Sequence, residues 1–427
     1  MTTTASELQT KGQAARRAAR ALARTSTAVK NAALIAIADA LVARTKDIVA
    51  ANEIDVAAAQ DAGLTPAVID RLTLNAERIA AIAADCRNVA LLPDPVGEMI
   101  DMRTLPNGMQ VGRRRVPLGV IAAIYESRPN VTVDIASLCL KSGNGCILRG
   151  GKETINSNKM IAAVVREAIA GAGAPADAVQ LIENTDRELI GELLKMNDVI
   201  DLVVPRGGAE LIRFVAANAT MPVLTGGIGV CHTYVDSDAD LDKAVRIALN
   251  AKTRKYSICN ALDTLVVHAA VAPAFLPLIA REWTEAGVEM HCDEQALDIL
   301  RRAEVPGAKL IPALPEDWDR EWLSLAAGVR VVASLDEALE FVYQHSTGHS
   351  DAIVTEDYSA AMRFLDEVDT AVVYVNASTQ FTDGAQFGLG AEIIDSTQKT
   401  IARGPVGLRE ITTYKWIVFG NGHTRPK

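Results

Sequence analysis

Cysteine is scarce in this chain of 427 residues, and its spacing excludes two common uses. The six cysteines include no CxxC pair and are Cys86, Cys139, Cys146, Cys231, Cys259 and Cys292. A disulfide-stapled small fold and a zinc or redox CxxC motif are therefore excluded. The cysteines are expected to be thiols, one of them chemically active.

Positive charge and long apolar runs are also lacking. Lys and Arg number 43 against 53 Asp and Glu, a net charge of −10, so no overall basic field exists to hold a nucleic acid. No run approaches the ~18 apolar residues of a membrane span, and the start MTTTASELQT has no basic stretch followed by an apolar one. We therefore expect a soluble, cytoplasmic protein with no nucleic-acid or membrane partner.

The composition that remains is that of a globular protein. Hydrophobic residues make up 49% and charged residues 22%, which is too apolar for a disordered chain. At ~150 residues per domain, the length allows two or three domains, each with its own core.

The first part of the chain, from Lys11 to about Leu92, is rich in alanine and predicts helices. One apolar stripe has helical spacing and consists of Leu34, Ile37, Ala38, Leu41 and Val42. Ser26 precedes this stripe as a predicted N-cap, and Gly63 and Pro66 divide the segment into two helical units.

Alternating short apolar runs and helical stretches follow a predicted hairpin at Pro106-Asn107-Gly108. The runs 119–125 and 145–148 are typical of buried parallel strands, and a helix is predicted between them. The same alternation continues to Leu224 and resumes from about Lys252 to Asn376. The sequence thus predicts an α/β protein with two open sheets. The segment 410–419 is predicted to be a lone strand that joins the hairpin across a subunit boundary.

Glycine-rich turns after two predicted strands are candidates for binding an anionic cofactor. GxGxxG is absent, and a P-loop is rejected because Cys146 and Glu153 occupy positions that a P-loop needs for glycine and a hydroxyl residue. The first turn consists of Arg149, Gly150, Gly151 and Lys152 and offers two cations to a phosphorylated ribose. The second consists of Pro205, Arg206, Gly207 and Gly208, whose amides can meet a pyrophosphate. A basic surface turn and a plain tight turn remain alternatives.

Cys259 is the candidate nucleophile among the cysteines. It follows the basic segment 252–257 at the junction of the two predicted sheets, where cations can lower a thiol pKa. His345 and His349 are spaced i, i+4, but no HExxH motif surrounds them and Gly348 weakens a helix there. No metal site is predicted.

Motifs along nearly the whole chain resemble the gamma-glutamyl phosphate reductases, also called glutamate-5-semialdehyde dehydrogenases, which have the aldehyde dehydrogenase fold. The matching segments are Tyr125–Asn130, Leu140–Asn144, Arg149–Glu153, Val204–Gly208, Cys259–Thr264, Ser346–His349, Asp351–Tyr358, Val375–Thr379, Phe387–Glu392 and Ala402–Gly407. The residues at 224–230, 256–258 and 394–395 differ from those usual in the family.

The resemblance implies a reaction and roles for individual residues. L-glutamyl 5-phosphate would be reduced with NADPH to glutamate 5-semialdehyde, the second step of proline biosynthesis from glutamate. Cys259 would be the nucleophile that forms a thioester, and Asn130 would donate its side-chain amide to the oxyanion. Arg149 and Lys152 would lie near the cofactor ribose.

The resemblance also implies a division of the chain. Residues 1–100 and 118–252 would bind the nucleotide cofactor, and residues 253–400 would form the catalytic domain. Residues 101–117 with 401–427 would form an oligomerisation element of a homo-oligomer, and association with the glutamate 5-kinase of the same pathway is a further expectation.

Two other functions stay open at this point. A general NAD(P)-dependent aldehyde dehydrogenase uses the same thiol, but also an acidic residue that activates water. No acidic residue occurs from Pro222 to His232, so hydrolysis has little support. The second is a noncatalytic nucleotide-binding relative, which Cys259 and Asn130 argue against.

Overall fold

The computed structural model describes residues 3–426. Residues 1, 2 and 427, which the expected domain boundaries include, lie outside the described residues. The described chain forms two compact units, the first made of residues 3–225, 388–394 and 406–426 and the second of residues 226–387 and 395–405. Among residues 3–426, no helix has both the length and the apolar character that crossing a bilayer requires.

Five helices open the first unit where the sequence predicts two helical units. They are α1 (Thr3–Leu22), α2 (Thr27–Ala43), α3 (Thr45–Asp61), α4 (Pro66–Leu72) and α5 (Ala76–Leu91). The predicted cap is confirmed, because the Ser26 side chain accepts a hydrogen bond from the Val29 amide at the start of α2. The predicted stripe of α2 is buried except for Val42, which is 48% exposed.

A parallel sheet forms the centre of the first unit. The elements that follow α5 are β1 (Met99–Thr104), β2 (Gln110–Pro117), β3 (Val120–Tyr125), α6 (Val131–Lys141), β4 (Gly145–Arg149), α7 (Ile155–Gly171), β5 (Val179–Leu181), α8 (Glu188–Leu193), β6 (Leu202–Arg206) and α9 (Ala209–Asn218). The strand order is β5-β4-β3-β6, all parallel. The apolar runs predicted as buried strands are confirmed, because every residue of β3 and β4 is buried.

The second unit contains a larger parallel sheet. Its elements are β7 (Cys231–Val235), α10 (Leu241–Thr253), β8 (Leu262–His268), α11 (Ala272–Glu285), β9 (Glu289–Cys292), α12 (Glu294–Ala303), β10 (Lys309–Pro312), β11 (Ala326–Val332), α13 (Leu335–His345), β12 (Ser350–Val354), α14 (Tyr358–Glu367), β13 (Val372–Val375), β14 (Asp395–Ser396) and β15 (Gly404–Pro405). The seven strands of this sheet have the order β10-β9-β11-β8-β7-β12-β13, and β14 pairs with β15. The two open α/β sheets of the predicted fold class are thus present.

The division between the units falls earlier than the sequence predicts. The predicted cofactor domain extends to residue 252, but β7 pairs with β8 and β12 inside the second sheet. The buried alanines of α10 pack in the core of that same unit. Residues 226–252 therefore belong with the segment that carries Cys259.

A third sheet joins the predicted hairpin to the last strand, β16 (Thr412–Phe419). The strand order is β1-β2-β16, and β16 runs antiparallel to β2 from Thr412 opposite Pro117 to Phe419 opposite Gln110. The predicted strand and its pairing with the hairpin are therefore confirmed, but β16 pairs with β2 of its own chain and not across a subunit boundary. The edge of β2 that β1 leaves open is filled by the same chain.

Candidate active site

Cys259 lies in the turn between α10 and β8, in the second unit. It is half-buried, whereas the other five cysteines are buried. Burial raises the pKa of Cys86 to about 11 and that of Cys292 to about 12, so these thiols remain protonated at neutral pH. Accessibility singles out Cys259, as the sequence predicts.

Several contacts hold the backbone of the Cys259 turn. The Cys231 thiol donates to the Cys259 carbonyl oxygen at 3.3 Å. The side chain of Asn260 donates to the Thr382 carbonyl at 2.8 Å, and the Thr379 hydroxyl donates to the Asn260 carbonyl at 2.7 Å. The nucleophile candidate therefore lies on a turn that is fixed on both sides.

Gly229 lies directly against this turn. A Cβ added at Gly229 would be 1.8 Å from the Cys259 carbonyl oxygen and 3.1 Å from its Cα. No larger residue fits without moving the Cys259 backbone. The backbone of Cys259 therefore approaches Gly229 as closely as only a glycine allows.

Two side chains that the sequence analysis did not assign to the site lie beside Cys259. A nitrogen of His349, the sulfur of Cys259 and a carboxylate oxygen of Asp395 all lie within 4.8 Å of one another. His349 is 2% exposed, and burial lowers its pKa to about 4, so its imidazole is neutral at physiological pH. His349 is part of the matching motif Ser346–His349, but its proximity to Cys259 depends on the order of strands in the sheet.

The spacing of His345 and His349 does not place them on one helix. Helix α13 ends at His345, and Gly348 has φ +79, which turns the chain into β12. His345 contacts Asp319 at 2.7 Å instead. Cysteine, histidine and aspartate can all ligate zinc, so the expectation of no metal site stays a prediction.

Carboxylates reach this region from outside the acid-free stretch 222–232. Glu321 accepts a hydrogen bond from the Gly229 amide at 3.1 Å, and burial raises the pKa of Glu321. Asp395 comes from β14 near the other end of the sequence. The absence of an acidic residue in one sequence segment therefore does not make the site free of carboxylates.

Asn130, the expected oxyanion donor, lies in the first unit at the start of α6. Its side-chain amide donates to the Asp134 carboxylate at 2.9 Å, one turn further along the helix. Burial raises the pKa of Asp134 to about 6. The amide has a second hydrogen, so Asp134 fixes its orientation and leaves one N–H for a ligand.

The two cations of the turn after β4, which are expected to bind the cofactor, differ in their exposure to solvent. The Arg149 guanidinium is buried and donates to the carbonyl oxygens of Gly150, Thr185 and Asp186. Lys152 is exposed. Arg149 therefore braces the loops after β4 and β5. The expectation that Arg149 and Lys152 lie near the cofactor ribose stays a prediction. The Glu153 carboxylate, which could oppose a phosphate, accepts from the amide and hydroxyl of Ser127.

The turn after β6 is hydrogen-bonded to a carboxylate of the protein itself. The Gly208 amide, at the N-terminus of α9, donates to the Glu126 carboxylate at 3.0 Å. Arg206 donates to the Ile393 carbonyl oxygen. The amide predicted to meet a pyrophosphate is thus occupied by Glu126, and a bound phosphate would have to displace that side chain.

Both turns nevertheless lie where a nucleotide fits an open α/β sheet. The loops after β3, β4 and β6 all follow the carboxyl ends of parallel strands, and the strand order reverses between β3 and β6. Such a reversal opens a crevice at the carboxyl edge. The exposed Lys152 suits a phosphate there, and the start of α9 does so once Glu126 is displaced.

Comparison with known proteins identifies the family. The aldehyde dehydrogenase family profile matches residues 1–298. Gamma-glutamyl phosphate reductase of Dehalococcoides mccartyi strain CBDB1 is 57% identical over 419 residues, 98% of each chain. The crystal structure of gamma-glutamyl phosphate reductase from Thermotoga maritima superimposes with a TM-score of 0.95 at 48% identity, covering 98% of this chain and 100% of that one.

The chain belongs to the gamma-glutamyl phosphate reductase family. The resemblance stated from the sequence motifs is thereby confirmed, and so is the aldehyde dehydrogenase-like fold. The family is one of oxidoreductases, and membership indicates a nicotinamide cofactor. The roles of individual residues of gamma-glutamyl phosphate reductases are carried to this chain only as proposals below.

Proposed function

We propose that the chain reduces L-glutamyl 5-phosphate with NADPH to glutamate 5-semialdehyde and phosphate, through a thioester on Cys259. The observation that carries this proposal is the full-length similarity to gamma-glutamyl phosphate reductases, with Cys259 as the accessible thiol on a braced turn. NADPH, when bound, supplies the hydride.

The side chains have separate parts in this proposal. The Cys259 sulfur attacks the acyl carbon, the S–C bond forms, and phosphate leaves with the electron pair of its C–O bond. Asn130, oriented by Asp134, donates an N–H to the oxygen that becomes negative during this attack. Lys152 supplies the cation near the ribose phosphate, and Arg149 holds the loop that presents it.

The proposal also covers the roles of the two units and the contacts between copies of the chain. The first unit binds the cofactor, the second carries the nucleophile, and the sheet β1-β2-β16 forms contacts between copies in a cytoplasmic homo-oligomer. That sheet exposes Trp416, Val418 and Phe419 by 56–57% each, which is apolar area that a second copy can cover. Docking of a glutamate 5-kinase is a further expectation without a surface assigned to it.

A second candidate is a general aldehyde dehydrogenase that hydrolyses its thioester. The position of Asp395 favours it, because a carboxylate within 4.8 Å of the sulfur can act as a base for water. The two candidates differ in whether phosphate or water releases the acyl group.

The experiment that separates them is the reverse reaction. NADP is supplied with glutamate 5-semialdehyde, and the steady-state rate of NADPH formation is measured while the phosphate concentration is varied. The proposal predicts a saturable dependence on phosphate, with an acyl phosphate as product. A rate that is independent of phosphate, with glutamate as product, would establish the hydrolytic candidate instead.

A further inference from the structure

His349 has one ring nitrogen satisfied and one without a partner. Its Nδ1 is 2.8 Å from the Ser350 hydroxyl, and its Nε2 is buried and makes no hydrogen bond within the described chain. A buried polar atom without a partner is destabilising, so this atom, on a residue close to Cys259, calls for an explanation.

A chain of hydroxyl groups indicates which ring nitrogen carries the proton. Tyr374 lies 2.8 Å from the Thr382 hydroxyl, which lies 2.6 Å from the Ser350 hydroxyl. Burial raises the pKa of the Tyr374 phenol, so it stays protonated, and a phenol donates better than it accepts. Tyr374 then donates to the Thr382 hydroxyl, which donates to the Ser350 hydroxyl. The Ser350 hydroxyl in turn donates to Nδ1 of His349. In this arrangement Nδ1 accepts, and Nε2 carries the hydrogen.

Carboxylates close to His349 affect the ionisation of the Cys259 thiol. A carboxylate oxygen of Asp395 lies within 4.8 Å of one ring nitrogen of His349 and of the Cys259 sulfur. Asp351, two residues from His349, accepts from the Ser346 hydroxyl and contacts Nδ1 of His232 at 2.8 Å. A carboxylate near a thiol opposes its ionisation, so the thiolate needs a donor to balance Asp395.

We propose that neutral His349 donates an Nε2 hydrogen bond to the Cys259 thiolate, and that the hydroxyl chain Tyr374–Thr382–Ser350 fixes the tautomer that makes this possible. The inference rests on the proposed function, in which Cys259 is the nucleophile. It assigns the stabilisation of the thiolate to a neutral group, whereas a buried imidazolium would have to overcome its own desolvation.

The chemistry balances without a further reactant. The thiol loses its proton to water, and the sulfur keeps the electron pair. The Nε2 hydrogen bond stabilises this anion before attack and again when the S–C bond breaks and the thiolate returns as leaving group. No proton moves along the hydroxyl chain, which acts by positioning.

The test measures the rate at which iodoacetamide alkylates Cys259 as a function of pH, with the alkylated residue located by mass spectrometry. His349→Ala should raise the midpoint pH and slow alkylation at neutral pH by about tenfold or more, since it removes a hydrogen bond to a charged group. His349→Gln should recover most of the rate, because its amide nitrogen can reach the place of Nε2. Ser350→Ala and Tyr374→Phe should give smaller upward shifts.

His345→Ala is the matched control and should leave the midpoint unchanged. A midpoint that does not move in His349→Ala, or a Gln variant as slow as the Ala variant, would overturn the inference. If His349→Ala does not fold, Ser350→Ala and Tyr374→Phe decide, and unchanged midpoints in both would also overturn it. Turnover that survives Cys259→Ala is a different result, because it would remove the nucleophile of the proposed function whatever His349 does.

Discussion

At the scale of single residues, the site depends on pairs in which one group fixes another. Asp134 orients the Asn130 amide, and Gly229 leaves room for the Cys259 carbonyl. The sequence indicates Asn130 and Cys259 through their chemistry. It does not indicate that Asp134 and Gly229 act on them, because these two residues act through distances that only the fold defines.

The Asp134 carboxyl predicts a pH-dependent stability. Its pKa is raised from 3.8 to about 6 by burial, so its contribution to stability is complete below about pH 3.8 and is lost as the pH rises through about 6. Asp134→Asn should therefore gain stability relative to wild type between these pH values, by about 1 to 3 kcal/mol. Denaturant unfolding at both ends of this range checks the prediction. A difference between the two proteins that is the same at both ends would contradict it.

At the scale of elements, the predicted and observed structures agree where strands are buried on both faces. Strands β3 and β4 were predictable because their short apolar runs follow glycines and enclose one helix. The elements β7, α10 and β9–β10 were not assigned, and β7 mixes Cys231, His232 and Thr233 with apolar residues. These three polar side chains are buried, and that of His232 contacts Asp351, which is more than a hundred residues away in the sequence.

The segment before β7 gives a prediction about the turn that carries Cys259. Gly229→Ala should reduce turnover by at least about 10²-fold, because its Cβ would displace the Cys259 backbone, and misplacing a reacting group by ~1 Å has effects of this size. Gly227→Ala is the matched control, since the atoms nearest to its Cβ would all belong to the side chain of Thr397 and not to the Cys259 backbone. Steady-state kinetics and a melting curve are measured for both variants. Equal activity in the two would show that the close approach at Gly229 does not matter.

The turn after β4 gives a prediction about cofactor choice. Lys152→Ala should weaken NADPH binding by about tenfold and NADH binding much less, because a charge-assisted contact to a phosphate is lost. Arg149→Ala should weaken both cofactors alike, since Arg149 holds backbone carbonyls. Lys159→Ala, which removes a cation paired with Glu183, should change neither. Fluorescence titration with both cofactors measures the ratio, and an equal loss for both in Lys152→Ala would remove Lys152 from the phosphate site.

At the scale of the whole molecule, the sheet β1-β2-β16 exposes a group of large hydrophobic side chains on β16. Trp416 is 57% exposed and lies beside Tyr414 and the Arg113 guanidinium, which is 4.7 Å from the Tyr414 ring centre. A three-stranded sheet with this much exposed aromatic surface gains stability when another surface covers it.

Trp416→Ser should therefore shift the protein toward smaller assemblies in analytical ultracentrifugation. Tyr343→Ser is the control, because Tyr343 is 83% exposed on α13 in the other unit. The control should leave the sedimentation coefficient unchanged. If Trp416→Ser sediments as wild type does at all concentrations, the sheet is not the contact between copies.

We propose above all that phosphate releases the acyl group from Cys259. The most direct measurement mixes the enzyme with NADP and glutamate 5-semialdehyde in phosphate-free buffer and follows NADPH formation rapidly. We predict a burst of one NADPH per active chain that then stops, because the thioester accumulates, and a restart when phosphate is added. Cys259→Ala should show no burst, and Cys292→Ala should behave as wild type. Continuous NADPH formation without phosphate would contradict the claim, and so would a burst that persists in Cys259→Ala.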